Sequence, residues 1–226
     1  MVYTVKVGGV KTRGRPAKGI APEESVAGRI LDSACQLFYK EGLRATGIDR
    51  VLSQAGAAKA SLYAHFGSKD DLVAAYLERQ AREWRALVEE RVAPADGRAG
   101  LLRLFAMLGD LVRRGDFRGC PFLNAASELP DLSHPARAVM RRQREWLHGL
   151  IRGLLSAAGV RDLDRVSRAV VALYDGALAS SVLDADAGGA AAAEFAVEQL
   201  LEVTAPPSSP RRARAARAGA RHRGAR

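Results

Sequence analysis

Apolar residues in this chain recur at steps of three and four, and this spacing restricts the fold more than any other feature. The first stripe consists of Val26, Ile30, Ala34, Leu37 and Phe38. A period near 3.6 residues places these side chains on one face of a helix. No segment sustains the polar–apolar alternation of a strand, and only 6% of the residues are aromatic. The sequence therefore predicts an all-α fold.

Glycine residues divide the N-terminal part into three helices. The first covers 25–41 and ends at Gly42, because glycine tolerates a left-handed backbone. The second is short; Thr46 is its predicted N-cap, and Asp49 completes a capping-box-like pair. Gly56 ends this helix, and the segment AAKASLYAHF forms a third helix after a tight turn.

A long helix and a second set of helices follow. Ser68 is the predicted cap of the long helix, with Asp71 three residues later. Residues 93–99, which include Pro94 and Gly97, indicate a linker. Beyond it, the periodicity predicts helices at about 98–114, 121–128, 134–158, 162–185 and 190–203.

The net charge of +10 is concentrated at the two ends of the chain. Residues 1–22 form a basic, glycine-rich arm and residues 205–226 a basic tail, and we expect both to be disordered. The body between them is close to neutral, so a contact with nucleic acid there requires a local surface. The sequence TRGRP in the arm is typical of short minor-groove hooks, although a merely solvated arm explains it equally well.

Several classes of protein are disfavoured. Two cysteines, Cys35 and Cys120, are too few for a disulfide framework or a cysteine-built zinc site. No run approaches the roughly 20 unbroken apolar residues of a membrane span, and the N-terminus lacks the apolar region of a secretory signal. Catalytic and phosphate-loop motifs are absent. We expect a cytoplasmic protein that is not an enzyme and uses no cofactor or metal.

Two short helices joined at Gly56 and braced on both sides match the plan of a helix-turn-helix. In that plan the second short helix enters the major groove of DNA. Leu62 and Phe66 share one face of this helix and are expected to anchor it to the core. Polar side chains are then left for DNA: Lys59, Ser61, Tyr63 and His65, followed by Lys69 at the start of the next helix.

The segment GIDRVLSQAGAAKASLYAHFGSKDDLVAAYL resembles the DNA-binding region of the TetR family of bacterial regulators. The resemblance rests on the LY-x-HF-x-SK cluster after Gly56, on the preceding helix with its entry threonine, and on a first helix that ends in F-x-x-x-G. It covers roughly 50 residues. Gly47 departs from the pattern, because many relatives have Ser or Thr there, which puts one phosphate contact in doubt.

The resemblance implies a division of roles on this surface. Lys59, Ala60 and Ser61 would lie near base edges, while Tyr63, His65 and Lys69 would contact phosphates and Thr46 the DNA backbone. Structural roles compete with these: Tyr63 as a core aromatic residue, His65 as a packed histidine and Lys69 as a solvated lysine.

The segment RGCPFLNAASELPDLSHPAR, 118–137, resembles the sixth-helix region of the LmrA/YxaF-like branch of that family, where it borders the inducer cavity. By this resemblance a small apolar effector would be lined by Phe105, Leu108, Cys120, Phe122, Asn124, Trp146 and Tyr174. Ordinary core packing is the competing interpretation for each apolar member.

Cys120 allows a further interpretation. It precedes Pro121 at a predicted helix N-terminus, a position that lowers a thiol pKa, so a thiol sensor or an all-helical thiol enzyme is an alternative. A small buried residue is the plainer explanation. A non-specific nucleic-acid packaging protein that uses the basic ends is another alternative.

The chain is therefore expected to contain four parts: the arm 1–22, a three-helix DNA-binding domain 23–67, a helical ligand-binding and dimerisation domain 68–204, and the tail. By the resemblance, the last two helices form a homodimer that reads a palindromic operator in double-stranded DNA. We expect a repressor that an effector releases; an activator or a ligand-independent regulator is the alternative.

Overall fold

The computed structural model describes residues 25–92 and 97–205, and every regular element within these ranges is an α-helix. The nine helices of this part are α1 (Val26–Glu41), α2 (Ile48–Ala55), α3 (Lys59–Phe66), α4 (Lys69–Arg91), α5 (Gly97–Arg113), α6 (Pro121–Glu128), α7 (Pro135–Ala157), α8 (Leu163–Leu183) and α9 (Gly188–Thr204). The all-α prediction is confirmed, and the expected limits of the later helices agree within two residues. The predicted arm 1–22, most of the linker and the tail after 205 lie outside the described residues.

The chain divides into two compact units. Among the described residues, the first unit comprises 25–88 and 118–145, and the second comprises the rest. Consequently α6 and the first part of α7 belong with the three N-terminal helices, although 29 residues of the other unit separate them in sequence.

The core of the first unit is built from the predicted apolar stripes. Ile30, Val51 and Leu62 are fully buried, and the rings of Phe38 and Tyr76 meet edge to face with centroids 5.7 Å apart. Each such side chain contributes about 1.5–3 kcal/mol when it is removed from water. The same core includes three residues from the later segment: Ala125, Ala136 and Val139.

Helix caps explain where α1 and α4 begin. The Ser25 hydroxyl accepts a hydrogen bond from the Gly28 N–H at 3.0 Å. The Ser68 hydroxyl accepts one from the Asp71 N–H at 3.0 Å and donates to the Asp71 carboxylate at 2.5 Å, as the sequence predicted. Such caps stabilise a helix by about 1 kcal/mol each.

The expected capping box of α2 is wrong. Gly47, not Thr46, is the N-cap, and no side chain of the described residues caps this helix. Thr46 is fully buried, and its hydroxyl donates to the carbonyl of Gly42 at 2.8 Å. A second acceptor, the Leu37 carbonyl at the end of α1, lies 3.4 Å away. The threonine therefore closes the turn after α1 instead of starting α2.

The second unit has its own core, with Phe105, Ile151, Val170 and Val197 fully buried. At its start α5 approaches α7 very closely: a Cβ on Gly97 would lie 2.3 Å from both the Ala158 nitrogen and the Leu154 oxygen. Only glycine fits at this position, because real Cβ atoms essentially never approach backbone atoms so closely. Two helix backbones therefore touch there without a side chain between them.

Among the described helices, α8 alone is long and apolar enough to cross a membrane by length and composition. Its buried face includes Val166, Val170, Tyr174 and Leu178, and the core helix of a soluble protein passes the same test. This helix is therefore weak support for a membrane span.

Candidate nucleic-acid interface

The turn between α2 and α3 depends on a left-handed glycine. Gly56 has φ 58° and ψ 43°, and its N–H donates to the carbonyls of Leu52 and Ser53 at the end of α2. The next N–H, that of Ala57, donates to the Leu52 carbonyl at 3.1 Å. This arrangement is a helix C-cap that ends α2 and begins the turn to α3, and other side chains would be strained at this φ.

One residue fixes the orientation of α3. Leu62 is fully buried, and Phe66 is half-buried against the same core. The side chains that point away from the core are exposed: Lys59, Ala60, Tyr63, Ala64 and His65, with Ser61 half-buried beside them. Tyr63 is 49% exposed, so the core-aromatic interpretation of this residue is wrong.

Both helices of the motif begin without a side-chain cap, at Gly47 in α2 and at Ala58 in α3. Their first N–H groups are consequently not satisfied by a side chain of the helix start. Free N–H groups and the positive end of the helix dipole favour an anion such as a phosphate.

The basic groups of the motif differ in their surroundings. The Lys59 Nζ lies 3.9 Å from the Asp49 carboxylate of α2, and both side chains are well exposed, at 62% and 89%. An exposed pair of this length contributes little to stability, so Lys59 can leave Asp49 at small cost. Lys69 is half-buried in the first turn of α4, directly after Ser68.

Thr46 does not share this surface. Its side chain is fully buried and its hydroxyl is occupied by carbonyl oxygens, which argues against the expected side-chain contact with DNA. A hydroxyl that closes an internal turn cannot also reach a phosphate from the same rotamer.

Sequence reasoning missed a set of hydrogen bonds that join α6 and the loop before it to α1 and the loop after α1. The Tyr39 hydroxyl near the end of α1 accepts from the Arg118 N–H at 2.8 Å and donates to the Gly119 carbonyl at 3.2 Å. At the other end of α6, the Glu128 carboxylate accepts from the Arg44 N–H at 2.8 Å. We call these two attachments the α6 clamp.

Arg137 of α7 completes the fixation of α6. Its guanidinium donates to the carbonyls of Ala126 and Leu129 at the C-terminal end of α6, where a cation is favoured by the helix dipole. One sequence signal could have pointed to the clamp: Glu128 is an acid at the end of a helix, a position that is unfavourable unless a donor compensates it.

The candidate effector residues fall into the two units. Phe105, Leu108 and Tyr174 are buried in the second, where the rings of Phe105 and Tyr174 meet edge to face at 6.3 Å, and Trp146 is half-buried there. The first unit holds the half-buried Cys120 and Phe122 and the exposed Asn124.

Two of these residues have defined local roles. The Asn124 amide donates to the Arg118 carbonyl at 2.9 Å, which steadies the loop before α6. Cys120 is the N-cap of α6, without a side-chain capping bond. Within the described ranges, no group of three His, Cys, Asp or Glu side chains could hold a metal ion.

Comparison with solved structures extends to most of the chain. A TetR-family transcriptional regulator from Streptomyces coelicolor, SCO4454, is 33% identical and superposes with a TM-score of 0.75, covering 80% of this chain and 96% of that one. The regulator LmrA of Bacillus subtilis is 28% identical over 52% of this chain and 65% of its own length.

Shorter matches cover mainly the N-terminal part. The repressor KstR2 of Mycobacterium tuberculosis is 33% identical over 33% of this chain and 39% of its own length. The activator FasR of Mycolicibacterium smegmatis is 38% identical over 26% of each chain. The chain thus spans less than two thirds of each of these three relatives.

The family model for bacterial regulatory proteins of the tetR family matches residues 30–76, from the core of α1 to the first turns of α4. This range contains the whole α2–turn–α3 motif whose outward surface is described above. The chain belongs to the TetR family and is a DNA-binding transcriptional regulator.

Proposed function

We propose that this regulator is a repressor, which binds a palindromic operator as a homodimer and leaves it when a small apolar effector binds. The observation that carries the proposal is the anchoring of α3 by the fully buried Leu62. This anchoring leaves Lys59 and Tyr63 exposed on a short helix, with Ser61 half-buried beside them, and a major groove about 12 Å wide admits one helix. Phosphate contacts by Tyr63, His65 and Lys69 would hold the protein in register.

A homodimer is supported by the apolar surface of α8 and α9. Large apolar side chains are exposed on these two helices at Val182 (48%), Leu183 (83%), Phe195 (65%) and Val203 (81%). Several large apolar side chains left exposed on two helices of one unit favour an interface with another molecule. A second copy is the occupant we propose, because a twofold axis gives two recognition helices the spacing of a palindrome.

Effector binding would involve the apolar part of the second unit. Phe105 and Tyr174 form an edge-to-face pair in the buried core that also includes Leu108, and an apolar lining of this kind suits apolar small molecules. A ligand changes the equilibrium between two states only if it binds them with different affinity.

The α6 clamp offers a route from effector to DNA. Helix α5 carries Phe105 and Leu108, and the chain leaves it at Arg113 and reaches the clamp at Arg118. A displacement of this connection would act on α1 through Tyr39, and on the loop before α2 through Glu128.

The relatives support repression and activation unequally. KstR2 is a repressor and FasR an activator by name, and the KstR2 match covers 33% of this chain against 26% for the FasR match. We therefore favour repression. The protein would act in the cytoplasm, where a bacterial regulator meets its DNA.

The test begins with a duplex selected from random-sequence DNA by the full-length protein. A discrete footprint with twofold symmetry, bound by a species of twice the chain mass, is the expected result. Protection without sequence preference would support a packaging protein instead. Transcription from a promoter that carries the duplex then separates the roles, since a repressor lowers it and an activator raises it.

Release is tested with the same duplex and a panel of small apolar compounds. A compound that binds the protein should weaken its affinity for the duplex at least about fivefold, within the usual range of allosteric coupling. If compounds bind the protein and none alters this affinity, the effector-released mechanism is wrong.

A further inference from the structure

The outward surface of α3 is centred on two methyl groups. Ala60 and Ala64 are both exposed and stand one helical turn apart. At about 100° per residue each lies roughly 160° around the helix from Leu62, which is the buried anchor. These two alanines therefore occupy the part of α3 that points most directly away from the core.

Few side chains of this helix can read adenine or guanine in bidentate fashion. Such readout is made by Asn, Gln, Arg or Lys, and the segment Lys59–Phe66 contains one of them, Lys59 itself. Lys59 is the single strong cation in this segment, and it lies near the edge of the face, beside Asp49. Hydrogen bonds from α3 can therefore specify few base pairs.

Two side chains of α2 that could read a purine, Gln54 and Arg50, already have partners on α1. The Gln54 amide donates to the Gln36 side chain at 2.8 Å, and Arg50 forms a 2.5 Å ion pair with Glu41. In the free protein these contacts hold the α2 side chains on α1. The outward face of α3 itself therefore presents the two methyl groups, with Lys59 at its edge.

We infer that Ala60 and Ala64 determine operator specificity by packing their methyl groups against the C5-methyl groups of two thymines in each half-site. The inference rests on the proposed operator-binding function and names the base that this function recognises. The C5-methyl of thymine is the one apolar group on the major-groove edge of the base pairs, and small apolar side chains contact it directly. A larger residue at either position would hold α3 farther from the bases.

The spacing of the two alanines sets the spacing of the thymines. Four residues of helix advance about 6 Å, which corresponds to one or two steps of about 3.4 Å along a DNA strand. The thymines are consequently neighbours or next neighbours, and the exposed Tyr63 and His65 flank them towards the phosphates.

The experiment uses the wild-type protein and the duplex selected from random DNA. Each thymine of one half-site is replaced in turn by deoxyuridine, which removes the methyl group and keeps every hydrogen-bonding edge. Replacement at two thymines should weaken binding about three- to fivefold each, the effect of one buried methyl group, while the other thymines should tolerate it.

Protein variants assign each thymine to its alanine. In each of the variants Ala60→Gly and Ala64→Gly, replacement of one of the two thymines by deoxyuridine should no longer weaken binding, because the alanine methyl group that contacted it is gone. Replacement of the other thymine should still weaken binding. Ala86→Gly, at an exposed position of α4, controls for the cost of glycine in a helix. The thymine and deoxyuridine duplexes are compared with the same variant, so a general loss of protein stability affects both affinities equally and cancels from their ratio.

The outcomes separate the methyl readout from the operator-binding function on which it rests. If a symmetric duplex is selected but uracil is tolerated everywhere within about twofold, the methyl readout is wrong and operator binding stands. The methyl readout is also wrong if the penalties persist unchanged in both glycine variants. If no duplex is selected, the proposed function fails and the inference fails with it.

Discussion

The Glu128 carboxylate accepts a 2.8 Å hydrogen bond from the backbone N–H of Arg44, which joins the end of α6 to the loop before α2 across 84 residues of sequence. A helix that follows the proposed sensing helix α5 in the chain is thereby attached to the segment that leads into the DNA-binding motif. The carboxylate also lies 3.2 Å from where a Cβ of Gly42 would stand, so the contact is tight.

Replacement of Glu128 by alanine should detach this end of α6. We expect the free energy of unfolding to fall by about 0.5–1.5 kcal/mol, the net value of one hydrogen bond, because the exposed Arg44 N–H can turn to water. Urea denaturation measures the loss, and hydrogen exchange at Arg44 should accelerate. Ser127→Ala, one residue away, is the control; equal stability of the two variants would contradict the clamp.

Tyr39→Phe removes the other attachment and keeps the ring. The hydroxyl is buried and bonds both Arg118 and Gly119, so its loss should cost about 1–3 kcal/mol of unfolding free energy. Tyr63→Phe is the matched control, since that side chain is exposed on α3. Tyr63→Phe should leave the unfolding free energy unchanged and weaken DNA binding. If Tyr63→Phe lowers stability and Tyr39→Phe does not, the structural role of Tyr39 and the DNA-contact role of Tyr63 are both wrong.

Lys69→Ala should weaken binding to all DNA sequences alike. A lost phosphate contact lowers the slope of log affinity against log salt concentration by about one unit. Affinities for the selected duplex and for unrelated DNA, measured across several salt concentrations, give this slope. Arg103→Ala, exposed on α5 in the second unit, should not change it; an unchanged slope for Lys69→Ala would exclude a phosphate contact.

Phe195→Glu should convert the proposed homodimer into a monomer. A charge at a position that is 65% exposed in one chain is harmless to that chain but costly when a second copy covers it. Light scattering after size-exclusion chromatography should then report about 24.2 kDa instead of twice this mass. Leu132→Glu, also exposed but in the first unit, is the control. A dimeric Phe195→Glu protein would place the interface elsewhere.

The Cys35 thiol should be inert in the folded protein. Burial raises its pKa from 9.0 to about 12, although the nearby Arg79 opposes the shift. Since the folded state favours the protonated thiol, this contribution to stability is complete below pH 9 and is lost as the pH rises towards 12. At about pH 8, below the ordinary thiol pKa, a thiol reagent should modify one cysteine, the half-buried Cys120, and a second only after unfolding. Rapid modification of both would contradict the burial of Cys35.

Features that depend on residues close together in the sequence could be predicted from it. Helix limits, the end of α2 at Gly56, the Ser68 cap and the buried Leu62 all follow from periodicity or from contacts within four residues. Thr46 shows the limit of such reasoning: a threonine before a helix suggests an N-cap, but burial and two carbonyl acceptors from α1 and the following turn outweigh the local preference.

Contacts between distant segments could not be found in this way. Tyr39 meets Gly119 across 80 residues, and nothing in the spacing of either residue indicates the other. The inclusion of α6 and the first part of α7 in the first unit has the same origin, because small buried residues such as Ala125 and Ala136 pack against many partners equally well.

The glycine at the start of α5 has a mechanical consequence. At Gly97 the backbone of α5 rests directly on that of α7, so this end of the helix can neither slide nor roll without a collision of main-chain atoms. A tilt of α5 that keeps this contact would pivot near Gly97, and its amplitude would grow over the following four to five turns towards Arg113. Phe105 lies halfway between Gly97 and Arg113 on this helix. A small displacement of α5 at Phe105 would thus be roughly doubled at Arg113, where the helix ends and the chain continues towards α6.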